Sequence, residues 1–134
     1  MQTNEDFKQQ LINRTLDLAR KTISLVDKFP SKRSAWVISD QLIRASTSIG
    51  ANIIEAQAAS SRRDFINFLN HALKSGNETK FWFVLSKDLN QKLSKEVDVL
   101  LNETKELTKI LGSSIMTLKN KNKYEKTFNF KLKF

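Results

Sequence analysis

The feature that most constrains this chain is a spacing. Apolar residues recur at steps of three and four in four successive stretches of about 25 residues each, which is the period of a helix with one buried face. The first stripe is Ile12, Leu16, Ala19, Ile23 and Val26; the second is Ile38, Leu42, Ala45, Ile49, Ile53 and Ala56. The third is Phe65, Leu69, Ala72, Gly76, Thr79 and Phe83; the fourth is Val97, Leu100, Thr104, Leu107, Leu111, Ser114 and Leu118. Three Gly and one Pro in the whole chain are too few for an all-β fold with many tight turns.

The breaks between stripes carry stop and start signals. Phe29-Pro30-Ser31 ends the first helix, because the residue before a proline is pushed out of the α region. Ser31 or Ser34 is positioned to cap a second helix running from Arg33 to about Ala58. At the next corner Ser61 is an N-cap with Asp64 three residues on, a capping box with Asp in the usual Glu position. The pattern breaks again at Asp88 to Gln91, and Ser94 is the expected cap of the fourth helix. Gly50, inside the second stripe, and the small residues Ala72, Ser75, Gly76 and Thr79 allow close approach of neighbouring helices. The expected fold is all-α: an up-down-up-down antiparallel four-helix bundle over residues 1–118, followed by a basic C-terminal tail over 119–134.

The tail differs in period and charge. Phe128, Phe130, Leu132 and Phe134 alternate with Thr127, Asn129, Lys131 and Lys133, the period of a strand. Six Lys and one Glu put +5 of the chain's net charge of +9 into these last residues. A lone strand is not stable by itself, so the segment pairs with another chain, stacks on single-stranded nucleic acid, or serves as a solubilising terminus.

Charge and residue usage narrow the function classes. A net charge of +9 favours polyanionic partners, RNA, DNA or an anionic membrane surface, although it also serves solubility. No apolar run approaches the roughly 20 residues of a membrane span, and the acidic, polar start is the reverse of a signal peptide; the expectation is a cytoplasmic protein with no membrane partner. The absence of Cys removes disulfides and thiolate chemistry, and a single His removes multi-histidine metal sites. That His71 has Asn67, Phe68, Lys74 and Ser75 for helical neighbours, with no carboxylate or activated hydroxyl among them. No phosphate-binding glycine loop and no metal-ligand spacing is present. The expectation is no enzyme, no cofactor and no metal.

One polar constellation stands out. Arg44, Ser48, Asn52 and Glu55 lie at i, i+4, i+8 and i+11, so they share one face of the second helix, beside its apolar stripe. Either this face is solvated, or it forms a hydrogen-bonded seam against the third helix with Glu78 as partner.

At this stretch the chain resembles a known family. The run Gln41 to Ala56 (QLIRASTSIGANIIEA), then Ser60 to Lys74 (SSRRDFINFLNHALK) and Asn77 to Trp82 (NETKFW), resembles the bacterial four-helix-bundle proteins encoded by intervening sequences in 23S ribosomal RNA genes. That family is in turn similar to the accessory variability protein of diversity-generating retroelements. The resemblance covers about residues 7–118 in pattern and is carried most specifically by SIGANIIEA, SRRDF and NETKFW. It implies a non-enzymatic bundle that assembles into a ring-like homopentamer and binds nucleic acid. Many related sequences have Gly where this chain has Ala56, and the aromatic tail lies outside the family pattern.

Two functions compete. One is a basic, oligomeric protein binding RNA or an RNA–DNA hybrid, with a reverse transcriptase as a further partner. Its phosphate contacts would come from Arg14, Arg20, Lys21, Lys28, Lys32, Arg33, Arg62 and Arg63, with Lys121, Lys123, Lys131 and Lys133 of the tail. The other is a structural or adaptor module that binds a protein and has no nucleic-acid role.

Overall fold

The structure is a computed structural model and describes residues 3–121, with side chains described to residue 120. The expectations for Lys123, Lys131, Lys133 and the alternating aromatics lie outside the described residues. Four helices follow one another: α1 (Asn4–Val26), α2 (Arg33–Ala56), α3 (Arg62–Ser86) and α4 (Ser94–Lys121). At 1.5 Å per residue each is about 35–42 Å long. The helical assignment therefore continues three residues past the bundle boundary expected at Leu118.

The caps explain the boundaries. Thr3 and Asp6 form a reciprocal capping box at the start of α1, with each side chain accepting from the other's backbone N–H at 3.0 and 3.2 Å. α1 ends at Val26, before Phe29-Pro30, in a short turn. Neither Ser31 nor Ser34 caps α2: Lys32 holds the N-cap position and contributes no side-chain hydrogen bond. Ser61 does cap α3, accepting from the Asp64 N–H at 3.0 Å, while the Asp64 carboxylate accepts from Ser60. Before α4 the chain makes one 3₁₀ turn (Gln91–Leu93), and Asn90 caps it through the Lys92 N–H; Ser94 is the first residue of α4 rather than its cap.

Three neighbouring pairs pack antiparallel, as their partner residues show. Across α2 and α3, Arg44 meets Glu78 and Ser48 meets Ser75. Across α3 and α4, Arg62 meets Leu118, Lys80 meets Thr108 and Lys87 meets Asp98. Across α1 and α4, Arg14 meets Glu103 and Lys28 meets Glu96. The core runs the length of the bundle through Leu11, Leu18, Leu42, Ile49, Ile53, Phe65, Leu69, Phe83, Leu107 and Leu111. The stripes expected on α3 and α4 are buried throughout, and that on α2 is buried apart from half-exposed Ile38.

α1 differs from expectation. Its buried face is Leu11, Thr15, Leu18, Thr22 and Leu25, together with Val26; Leu16 is 47% exposed and Ile23 44%. The core face is thus rotated by one residue, about 100°, from the purely apolar stripe. Two threonines occupy the core because their hydroxyls need no tertiary partner. Thr15 donates to the Ile12 carbonyl at 2.8 Å and Thr22 to the Leu18 carbonyl at 2.7 Å, one turn back in the same helix. Thr79, Ser86, Thr104 and Thr108 are buried with the same local solution.

Two glycines of central helices meet these threonines. A Cβ on Gly50 of α2 would lie 2.8 Å from Thr15 Oγ1 of α1, and one on Gly76 of α3 would lie 2.6 Å from Thr108 Cγ2 of α4. Gly112 of α4 has nothing within 4 Å of the same position. Alanine has a helix preference over glycine of roughly 1 kcal/mol, so the three sites separate propensity from packing. Gly112→Ala is expected to raise stability by about 0.5–1 kcal/mol. Gly76→Ala, forced against a stiff β-branched neighbour, is expected to lower it by about 1 kcal/mol or more. Denaturant melts of both variants measure this; a stabilising Gly76→Ala would mean that α3 and α4 can part without cost.

Candidate interaction surfaces

α2 divides into three faces. One holds the core. A second, toward α3, carries the polar seam. Arg44 Nη2 bonds to Glu78 Oε2, and Arg44 also donates to Gln41 Oε1 at 2.6 and 3.2 Å. The Trp82 indole Nε1 donates to the same Glu78 oxygen at 2.8 Å. Lower on the seam, Ser75 Oγ donates to Ser48 Oγ at 2.9 Å, and Asn52 Nδ2 donates to both the Ser48 carbonyl and Oγ, at 2.8 and 3.0 Å. The structure therefore brings Arg44, Ser48, Asn52 and Glu78 together. It does not bring in Glu55, which is exposed near the end of α2. Gln41, Ser75 and Trp82 complete the seam and were not foreseen; their i−3, i−3 and i+4 offsets from Arg44 and Glu78 were the available signal.

The seam is a surface feature. Arg44 is 57% and Glu78 39% exposed at the side chain, so the ion pair is screened. The Glu78 carboxyl still sits below its ordinary value of 4.5. The indole hydrogen bond is the largest cause, Arg44 adds to it, and partial loss of solvent works against both.

The third face of α2 borders α1 and is apolar. Ile12, Leu16, Ala19 and Ile23 of α1 face Thr47, Gly50, Ala51 and Ile54 of α2 across an open groove of about 370 Å³, with Arg20 at its edge. Trp36 stands on the same side of α2, eleven residues before Thr47, and is 59% exposed. The stripe read from the sequence as the core of α1 is thus one wall of a surface groove.

The cations expected to touch phosphate are spread over several environments. Arg14 forks onto Glu103 of α4, Nε to Oε2 at 3.0 Å and Nη2 to Oε1 at 2.6 Å, and the hydrogen bonding to Glu103 raises its pKa. Lys21 pairs with Asp17 at 2.9 Å, which raises its pKa through that hydrogen bond and then the charge. Lys28 pairs with Glu96. Arg62 is half-buried and donates to the Leu118 carbonyl at 3.0 Å, satisfying an end group of α4. Arg20, Lys32, Arg33 and Arg63 are exposed, with no carboxylate within 4 Å among the described residues. Lys121 ends α4.

Among the described residues, no cluster of three or more His, Cys, Asp or Glu side chains is placed to hold a metal ion, and no helix is long and apolar enough to cross a membrane. His71 is exposed and lies edge-on to Phe68.

The fold and its seam define an antiparallel helical bundle. The chain belongs to the 23S rRNA-intervening sequence protein family, whose sequence profile matches residues 8–113. It is similar to a crystal structure from Bacteroides thetaiotaomicron described as a protein of unknown function from the S23 ribosomal protein family, with 37% identity and a TM-score of 0.72. That match covers 78% of this chain and 97% of the other. No curated protein sequence matches it.

The Glu78 geometry sets a sign for pH. Its folded pKa is lowered, so its contribution is present above about 4.5 and is lost as pH falls through the lower folded value. The stability gap between the native chain and Glu78→Gln is therefore expected to be under about 1 kcal/mol at neutral pH and to close on acidification. Arg44→Ala should behave like Glu78→Ala, and both should cost more than Lys105→Ala. Urea midpoints across a pH series test this; a gap that widens in acid contradicts it.

Proposed function

We propose that this chain is a non-enzymatic assembly protein that associates with copies of itself and, as the oligomer, binds nucleic acid. The carrying observation is the coexistence of an uncovered apolar groove and a surplus of unpaired cations on one small bundle. Leu16, Ile23, Trp36 and Ile54 are large apolar side chains about half exposed along one side of α1 and α2. A contiguous apolar face of this kind on a strongly charged molecule favours burial against a protein surface. A second copy is the occupant that needs no other gene product, and Phe81 and Val84 on the far side of α3 are exposed apolar side chains a neighbour could insert. Two different patches meeting head to tail give a closed ring or an open filament, not an isologous dimer. A ring of five is the closed form that the resemblance implies.

Association multiplies charge. Five chains at +9 carry +45, a field suited to RNA or an RNA–DNA hybrid. The resemblance read from the sequence, which links the family to the accessory protein of diversity-generating retroelements, extends this proposal to a reverse transcriptase as a further partner and to a cytoplasmic role.

Light scattering is expected to return a mass several times the 15.4 kDa chain. The double variant Leu16→Glu, Ile54→Glu is expected to shift that mass toward the monomer while keeping the helical circular dichroism. A native chain that runs as a monomer at micromolar concentration overturns the assembly reading. For nucleic acid, affinity should fall steeply with salt and vary little with sequence; no binding even at low salt leaves the adaptor role instead.

A further inference from the structure

The cations of this bundle are not equivalent, and the structure sorts them. Those on the α4 side of α1 are neutralised: Arg14 by Glu103, Lys21 by Asp17 and Lys28 by Glu96. Lys32, Arg33, Lys92 and Lys95 share the loop end of the bundle with Asp27 and Asp88, so that end has mixed sign. The outer faces of α3 and α4 are different. Arg63, Lys74 and Lys80 of α3 and Lys105, Lys109 and Lys119 of α4 have no carboxylate within 4 Å among the described residues. Lys80 Nζ reaches Thr108 Oγ1 of α4 at 3.4 Å, which, with Arg62 on the Leu118 carbonyl, fixes the two helices in register. In that register Arg63 lies level with Lys119, Lys74 with Lys109, and Lys80 with Lys105. Lys105 and Lys109 also line the α1–α4 cleft with Glu103 and Glu106, but Glu103 is held by Arg14, on which Glu106 also acts, and Asp98 is held by Lys87.

We infer that the outer face of α3 and α4 is the track on which the phosphate backbone of a nucleic acid runs. The inference rests on the nucleic-acid reading above and assigns it to a different surface from the α1 cations. Arg63 to Lys80 covers about 26 Å of helix at 1.5 Å per residue, and α4 sets a second row of charge about 8–10 Å away. A duplex carries one charge per about 1.7 Å of axis, so a run of this length passes more phosphates than it has cations, with half-buried Lys80, bonded to Thr108, the least free of the six. Asn67 and Asn77 stand between the cations as neutral donors. Between Arg63 and Lys80 no Phe, Tyr or Trp is exposed, and Phe81, which is, lies at the end of the run, so bases have little to stack on along it. The contact is with phosphate, independent of sequence, and does not separate single strands from duplex.

The test compares two triple variants of equal net charge. One is Lys74→Ala, Lys105→Ala, Lys109→Ala; the other is Arg20→Ala, Lys21→Ala, Lys28→Ala. Each full-length protein is titrated into a short labelled RNA of mixed sequence, and into the matching duplex, at several salt concentrations. Circular dichroism checks folding, and glutamine replaces alanine in any variant that melts early. The α3/α4 triple is expected to lose at least about tenfold in affinity and to flatten the salt slope by roughly two to three units. The α1 triple is expected to stay within about threefold of the native chain, because two of its three charges are already compensated. Equal losses would show that total charge governs binding, and an unaffected α3/α4 triple would show that the RNA lies elsewhere; either result overturns the assignment while leaving nucleic-acid binding intact. A native chain that binds no RNA at low salt removes the underlying reading and the track with it.

Discussion

The close approach of threonine to glycine is the contact on which the bundle's geometry depends. α2 offers Gly50 to Thr15 of α1, and α3 offers Gly76 to Thr108 of α4. A side chain at either glycine would push its neighbour away, so the two small residues set how near the helices lie. The hydroxyls in these contacts are satisfied inside their own helices, which lets polar residues occupy core positions without a tertiary partner. Once Thr15 faces Gly50, the rotation of α1 is decided. Leu11, Leu18 and Leu25 go inward, and Ile12, Leu16, Ala19 and Ile23 turn to the outer wall. The surface groove is thus a consequence of the packing contact.

This accounts for what was legible in the sequence. α3 and α4 read correctly because each has one dominant stripe, and its small and hydroxyl members fall in step with large apolar ones. α1 carries two stripes one residue apart. The more hydrophobic one is half-exposed apart from Val26, and the buried one contains two threonines. Hydropathy ranks the first higher; only the position of Gly50 on another helix favours the second. Side-chain capping was legible where the cap is local, at Ser61, and failed at α2, where the helix begins on Lys32 without a side-chain bond.

The candidate surfaces were legible to a different degree. The i, i+4, i+8 spacing located the seam, since residues on one helical face must share a neighbour. It could not exclude Glu55, which shares the face and lies level with the first turns of α3 but is exposed and makes no side-chain hydrogen bond there. The cations were harder. Net charge says nothing about which Lys or Arg has a carboxylate opposite, and Arg14–Glu103 and Lys28–Glu96 join residues far apart in sequence. Sorting paired from unpaired charge required the fold.

The same ion pairs have a consequence for how the molecule opens. α1 makes fewer contacts with α4 than any other neighbouring pair of helices makes, and charged side chains on the cleft between them take the place of a deep apolar interdigitation. Most of α1's hold on the bundle is therefore through its core leucines and through α2. Native-state hydrogen exchange should find α1 in a less protected cooperative unit than the α2–α3–α4 layer, its amides exposed by partial opening at a cost below that of global unfolding. Raising ionic strength would weaken the α1–α4 pairs and widen that difference. The bundle is in this sense a three-helix platform, α2–α3–α4, with α1 held at one edge mainly through its buried leucines and α2.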